Sequence, residues 1–151
     1  MRLSDESHRH VEQFFRVHRG DAGFVLPRMR IHGGPVARLL MVSAGMGALT
    51  LGRHVFVRPS LLGRDARGRA TLPGWLVVHE AAHVIQYAEG GFVRFLLKYL
   101  RGYWRALREG GRWDAAGRMA AYLAIAEERE ARAAERDYAS RTPACNRRCF
   151  D

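Results

Sequence analysis

Cysteine is scarce in this sequence of 151 residues. The two cysteines, Cys145 and Cys149, lie close to the C-terminus, and two are too few for a disulfide-stabilised scaffold. Their spacing allows a local bridge or a weak metal clip, but two free thiols on a frayed tail are the expected state. We therefore expect a cytoplasmic protein in which residues 1–142 form a single domain and residues 143–151 form a flexible tail.

The sequence also lacks internal repeats, low-complexity tracts and a secretory signal. Its N-terminal stretch, MRLSDESHRH, is polar and mixed in charge, unlike a signal peptide. The most apolar run, residues 36–51, is short for a bilayer span and is interrupted by Arg38 and by glycines. No transmembrane segment is expected, and a buried helix followed by a strand accounts better for this run.

Lysine is almost absent, because Lys98 is the only one and arginine carries nearly all of the positive charge. The formal net charge is +10, which favours anionic partners. Five of the 25 basic residues lie along residues 92–108, on the side of a helix opposite to a stripe formed by Phe92, Leu96, Tyr99, Tyr103 and Leu107. We expect this helix to back the core. Its basic face is a candidate site for an acidic protein partner or a membrane surface. Nucleic acid is not expected, because no nucleic-acid-binding motif is present.

Periodicity and capping signals predict an α+β fold. A small N-terminal sheet is expected from residues 24–34 and from a hairpin of residues 48–51 and 54–58 around Gly52. Residues 60–74 resemble a polar loop. Helices are predicted over residues 4–18, 35–43, 73–89, 92–108 and from about 114 to 139. The sheet would pack on the helix of residues 73–89.

That helix contains the sequence WLVVHEAAHVIQY, residues 75–87. Residues four apart lie on one face of an α-helix, so the imidazoles of His79 and His83 can converge on one tetrahedral ion. Glu80 is turned about a quarter of the way round the helix, from where its carboxylate can reach a water molecule without binding the ion. This pattern predicts a zinc site in which Glu80 is the general base.

A catalytic zinc site needs a third protein ligand. No histidine follows His83, so a carboxylate from the last helix is the common remaining solution. Glu128 shares a helix face with small residues that permit close approach of another helix, and it is the predicted third ligand. Glu130 on nearly the opposite side is the reserve, and Glu127 lies between the two.

The HEAAH sequence, together with a distant Glu-x-x-Ala helix, resembles the gluzincin metallopeptidases. From about residue 47 to residue 138, the sequence is also similar to small bacterial proteins of the DUF4157 type, some of them related to Vgr proteins of contractile secretion systems. The resemblance implies a minimal zincin-like fold with His79, His83 and Glu128 as zinc ligands. Some gluzincins carry an aspartate four residues after the ligand glutamate to orient a histidine, but this chain has Arg132 there. The groups that orient its histidines must therefore differ or be absent.

Two functions follow as expectations. The first is a zinc-dependent peptidase in which zinc polarises the scissile carbonyl and Glu80 takes a proton from the attacking water. The alternative is a catalytically silent zincin-fold adaptor of a contractile secretion or phage-like assembly. Tyr103 and Tyr122 are candidate donors to a developing oxyanion, although core packing is the expected role of either side chain.

Overall fold

The computed structural model describes residues 1–35, 37, 47–66 and 68–142. The helix predicted over residues 35–43 lies almost entirely outside the described residues. The tail predicted over residues 143–151 also lies outside them, and the single domain predicted over residues 1–142 stays a prediction.

The first helix, α1 (Asp5–Arg19), has the boundaries that its capping residues predict. The Ser4 hydroxyl accepts a hydrogen bond from the amide of Ser7, and Gly20 ends the helix in a left-handed conformation with φ 65°. Val11, Phe14 and Phe15 are buried, so one apolar face of this helix packs into the core.

A three-stranded sheet follows, formed by β1 (Arg30–His32), β2 (Ala48–Leu51) and β3 (His54–Val57). The strand order is β1-β3-β2, with β1 parallel and β2 antiparallel to β3. Gly52 takes a positive φ of 61° in the turn between β2 and β3, a conformation that favours glycine. The predicted hairpin is therefore confirmed, and β2 is left at one edge of the sheet.

The stretch predicted as a loop contains more order than its composition suggests. A 3-10 turn (Pro59–Leu61) precedes a two-stranded ribbon of β4 (Gly63–Arg64) and β5 (Ala70–Thr71). Asp65 stabilises the ribbon by accepting hydrogen bonds from the backbone amide and the guanidinium of Arg69. Strands of two residues are too short to produce a recognisable alternating pattern, which explains the wrong prediction.

Four helices make up the rest of the described chain: α2 (Gly74–Gly90), α3 (Phe92–Gly110), α4 (Ala115–Ala124) and α5 (Ala126–Arg141). The prediction of one continuous helix from about residue 114 to residue 139 is wrong, because the chain breaks at Ile125. Ile125 has an extended backbone (φ −60°, ψ 132°) and a buried side chain. No glycine or proline marks the break, so the break has no local sequence signal.

The core lies between α1, the sheet, α2 and α5, which confirms the predicted α+β class. α2 carries Val77, Ala81, Val84 and Ile85 into it, and α5 contributes Ala131, Ala134 and Tyr138. α3 backs this core less than expected, because Phe95 and Leu107 are its buried side chains and Phe92 is half exposed. None of the described helices combines the length and apolar character needed to span a bilayer.

Candidate metal centre

Two helices bring the three predicted ligands together. α2 supplies His79 and His83, whose ring centroids are 5.1 Å apart, and the first turn of α5 supplies Glu128. One ligand atom from each residue can be chosen so that all three atoms lie within 4.8 Å of one another, and all three residues are buried. Such a His-His-Glu group can hold a metal ion, and the metal-binding role of its members stays a prediction.

Hydrogen bonds decide which ring nitrogen of each histidine faces the centre. Nδ1 of His83 lies 2.9 Å from Oε1 of Gln86, and Nδ1 of His79 lies 3.2 Å from Oε2 of Glu135. Both partners are oxygen acceptors, so each Nδ1 carries the proton that it donates. The Nε2 atoms, which face Glu128, are therefore the ones that can bind a metal ion once they carry no proton.

Gln86 also ties α2 to α5. Its amide nitrogen donates to the backbone oxygen of Glu127 at 3.1 Å and to Oε2 of Glu130 at 2.9 Å. The same side chain therefore orients His83 and holds the first turn of the helix that carries Glu128. Glu130, the reserve candidate for the third ligand, acts in this support and does not reach the centre.

The structure distinguishes the three neighbouring glutamates. Oε1 of Glu127 lies 2.7 Å from Nζ of Lys98, so this carboxylate is engaged by α3. Glu130 is exposed. Glu128 is 2% exposed, and its two oxygens lie 3.3 Å from Nε2 of His83 and 3.6 Å from Nε2 of His79. Glu128 is thus the glutamate that the fold places between the histidines.

The surroundings of Glu128 fit a cation. Tyr99 donates a hydrogen bond of 2.7 Å to its Oε1, whereas Oε2 is buried without a hydrogen-bond partner. Arg132 approaches that oxygen only to 3.6 Å, while its guanidinium packs over the ring of Tyr122. Burial raises the pKa of the Glu128 carboxyl, but the two histidines and Tyr122 outweigh this effect and lower that pKa well below its usual range. A buried carboxylate that faces two imidazoles and has one oxygen without a hydrogen-bond partner is a favourable ligand for a divalent metal.

The centre attracts a positive charge. Burial lowers the pKa of His79. The carboxylates of Glu128 and Glu135 have a larger and opposite effect, so the pKa of His79 is raised to about 9. A proton on His79 therefore balances the buried carboxylates when no cation does so. A divalent ion at the same place would supply this charge, and its binding would compete with protons.

Glu80, the predicted general base, lies beside the three ligands and is 5% exposed. Its Oε2 accepts a hydrogen bond of 2.6 Å from the hydroxyl of Thr50 on β2. Burial raises the pKa of the Glu80 carboxyl, with His83 and Thr50 opposing the shift. A carboxylate with a raised pKa accepts a proton more readily near neutral pH, which suits a general base.

An open cavity of about 330 Å³ gives access to the centre. Its walls are formed by the three ligands and Glu80, by the edge strand β2 and by α3. The aromatic residues that line it are Tyr87, Phe95, Tyr99, Tyr103 and Tyr122. The centre is therefore buried in an aromatic cleft that remains open to small groups or to an extended chain.

Sequence reasoning missed the residues that support the centre. Tyr99 was assigned to an apolar stripe, and neither Thr50 nor Gln86 was given a role. Glu135 was not predicted to contact a histidine. The spacing from Glu128 to Glu135 is seven residues, about two helical turns, so helical periodicity already placed both carboxylates on one face.

Comparison with models of known families gives a match for the N-terminal part of the chain. A family model described as the eCIS core domain matches residues 7–91, which is more than half of the chain. The matched segment contains His79, Glu80 and His83, and it ends before α3 and Glu128. No curated protein and no solved structure matches the chain significantly.

Proposed function

The chain belongs to the eCIS core domain family, and on that premise we propose that it is a zinc-binding module of an extracellular contractile injection system. The family links the chain to that system and to protein partners within it. The observation that carries the metal-binding part is the buried carboxylate of Glu128. Its Oε1 lies 3.3 Å from Nε2 of His83, and its Oε2, which has no hydrogen-bond partner, lies 3.6 Å from Nε2 of His79. Two neutral imidazoles and one carboxylate form a ligand set that zinc prefers.

The residues around this centre have two proposed roles, binding the ion and orienting the ligands. His79, His83 and Glu128 hold the ion, while Glu135 and Gln86 fix the two imidazole rings through their Nδ1 atoms. Tyr99 fixes one oxygen of Glu128 and leaves the other for the metal. With both helices joined at one ion, α2 and α5 would be held together more firmly than by packing alone.

The metal-binding part is tested by the zinc content of the purified chain. Wild type should retain about one zinc per chain after dialysis against a weak chelator. Glu128→Gln should lose most of it, whereas Glu89→Gln, on the exposed end of α2, should keep it. Equal zinc content in both variants, or a wild type that binds no zinc when it is offered, contradicts the proposal.

The link to an injection system is tested separately. The tagged chain and an injection system from the same cells should co-purify as assembled particles. Variants that have lost zinc but still fold show whether the metal is needed for this association. Recovery of particles without the chain, from cells that produce both, contradicts this part of the proposal.

Glu80 favours a second candidate function, hydrolysis of peptide bonds. When bound, zinc would polarise a carbonyl group and make water more acidic. Glu80, held by Thr50 and with a raised pKa, is suited to take the proton from the attacking water and pass it to the leaving amine. Tyr122 lines the same cavity and can donate a hydrogen bond to the oxygen that gains negative charge.

Glu80→Gln separates the two candidates. Under the hydrolytic function, this variant keeps zinc but loses at least about a hundredfold in rate on a peptide library. Glu89→Gln on the exposed end of the same helix is the matched control and should retain full activity. If wild type and Glu80→Gln cleave nothing and both associate with injection particles, the chain is an adaptor and no peptidase.

A further inference from the structure

α3 carries a line of exposed apolar side chains on a face that does not meet the core. Val93, Leu97, Leu100 and Trp104 recur at intervals of four, three and four residues, so they lie along one side of the helix. Their exposed fractions are 67%, 63%, 44% and 52%. Trp113, 56% exposed in the connection to α4, lies against Trp104 with ring centroids 6.0 Å apart. We call these five residues the apolar ridge.

A row of arginines runs beside the apolar ridge. Arg94, Arg101, Arg105 and Arg108 follow one another at intervals of seven, four and three residues, and all four are exposed. None of them forms an ion pair with a carboxylate in the parts of the chain that the structure describes. Lys98, by contrast, is paired with Glu127 at 2.7 Å. The positive charge of these arginines is available to an external anion.

The fold uses a different face of α3. Phe95 and Leu107 are buried, and Tyr99 reaches inward to Glu128. The apolar ridge therefore extends the apolar surface of α3 beyond its buried face, and the described parts of the chain leave most of the ridge exposed. Exposed apolar patches rimmed by charged residues mark surfaces that bind a partner or a membrane.

We propose that α3 docks on an anionic lipid surface, with the apolar ridge inserted at the depth of the headgroups and the arginines on lipid phosphates. An anionic bilayer offers an apolar layer directly beneath an anionic one, which matches the two parallel lines of side chains on one helix. Tryptophan favours this interfacial depth, because its ring is apolar and its N–H is polar. Guanidinium groups bind phosphates through paired hydrogen bonds.

An acidic protein is the competing occupant of this face. It would satisfy the arginines, but it would also need a groove shaped to receive five apolar side chains that protrude from a helix and its connection. A lipid surface requires no such matched shape. Leu100 belongs to the ridge and also lines the cavity of the metal centre, so docking would bring the cavity mouth next to the lipid headgroups.

The full-length chain is tested by co-sedimentation with vesicles at about 0.1 M salt, where long-range charge effects are screened. We expect binding to vesicles of equimolar phosphatidylcholine and phosphatidylglycerol, and at least tenfold weaker binding to phosphatidylcholine alone. Val93→Ser with Leu97→Ser should weaken binding about tenfold or more. Val17→Ser with Val25→Ser removes equally exposed apolar side chains elsewhere and should leave binding unchanged.

Charge is tested in the same way. Arg101→Gln with Arg105→Gln should weaken binding about tenfold or more. Arg129→Gln with Arg136→Gln removes the same charge from exposed positions of α5 and should weaken binding less than threefold. Equal losses in the two pairs would mean that only net charge matters, which overturns the proposal.

Tryptophan fluorescence gives a measurement that does not depend on disruptive substitutions. Anionic vesicles should shift the emission of wild type and of Trp75→Phe to the blue, and the doubly substituted Trp104→Phe, Trp113→Phe chain should lose this shift. Absence of vesicle binding overturns the proposal. If the ridge variants instead abolish self-association, or binding to an acidic protein, while vesicles do not bind, the face belongs to that protein partner. None of these outcomes depends on the metal centre.

Discussion

Nδ1 of His79 lies 3.2 Å from Oε2 of Glu135, seven residues beyond Glu128 on the same helix. The family resemblance placed an orienting carboxylate four residues after the ligand, where this chain has Arg132. The fold thus has a carboxylate that orients the histidine, but one helical turn further along α5. Arg132 instead approaches Glu128 and the ring of Tyr122.

Glu135→Gln should weaken zinc binding without removing it. Loss of the carboxylate makes His79 a poorer ligand and frees its ring orientation, and such changes typically cost about 10-fold to 100-fold in metal affinity. The measurement is competition with a zinc chelator of known affinity. Glu89→Gln serves as the control, because Glu89 lies on the exposed end of α2. Unchanged affinity in Glu135→Gln would falsify the orienting role.

Zinc should stabilise the fold, because the ligands come from two helices that separate on unfolding. Free zinc at about a hundred times its dissociation constant adds about 2.7 kcal/mol to the free energy of unfolding if it binds only the folded chain. A rise in melting temperature on adding zinc, reversed by EDTA, is the expected result. Glu128→Gln should show little of this rise, and an equal rise in both proteins would place zinc elsewhere.

Thr50→Val should destabilise the chain, since it leaves the buried oxygen of Glu80 without its hydroxyl donor. The expected loss is about 1–3 kcal/mol in the free energy of unfolding. Thr50→Ser keeps the hydroxyl and should lose much less. Denaturant unfolding measures both variants, and similar losses in the two would mean that packing of the threonine methyl group matters more than the hydrogen bond.

Asp137→Asn should make the free energy of unfolding decrease less as the solution is made acidic. The hydrogen bond from His18, followed by Arg141, lowers the pKa of Asp137 below its usual value of 3.8. The contact therefore stabilises the fold above that pH, and the contribution is lost as the pH falls through the lowered pKa. At neutral pH the variant should be less stable by about 0.5 kcal/mol, because the pair is partly exposed.

The measurement is the free energy of unfolding of wild type and of Asp137→Asn, each at neutral pH and near pH 3. The difference between wild type and Asp137→Asn should shrink as the solution becomes more acidic. A difference that stays constant, or grows, would show that Asp137 acts through something other than its charge.

Local signals in the sequence were sufficient for much of the fold. Ser4 and Gly20 bound α1, Gly52 turns the hairpin, and the spacing of His79 and His83 gives them one helix face. The ribbon around Asp65 and the break at Ile125 were not predictable, because strands of two residues have no periodicity and a buried isoleucine carries no turn signal.

The candidate metal centre was also only partly predictable from local signals in the sequence. Glu128 was selected by its helix phase, which depends only on nearby residues. The hydrogen bonds from Thr50 and Tyr99 join segments 30 and 29 residues apart in the chain. Such pairings depend on how the elements pack, so they cannot be derived from the spacing of residues within one helix.

The extended backbone at Ile125 separates the orientation of α5 about its axis from the length of α4. In a continuous helix, each residue inserted into α4 would rotate Glu128 by about 100° around the axis and turn it away from the histidines. The interruption removes that linkage, so the direction of Glu128 is set by the packing of α5 on α2. Residues can therefore be inserted into or deleted from α4 while the three ligands keep their arrangement.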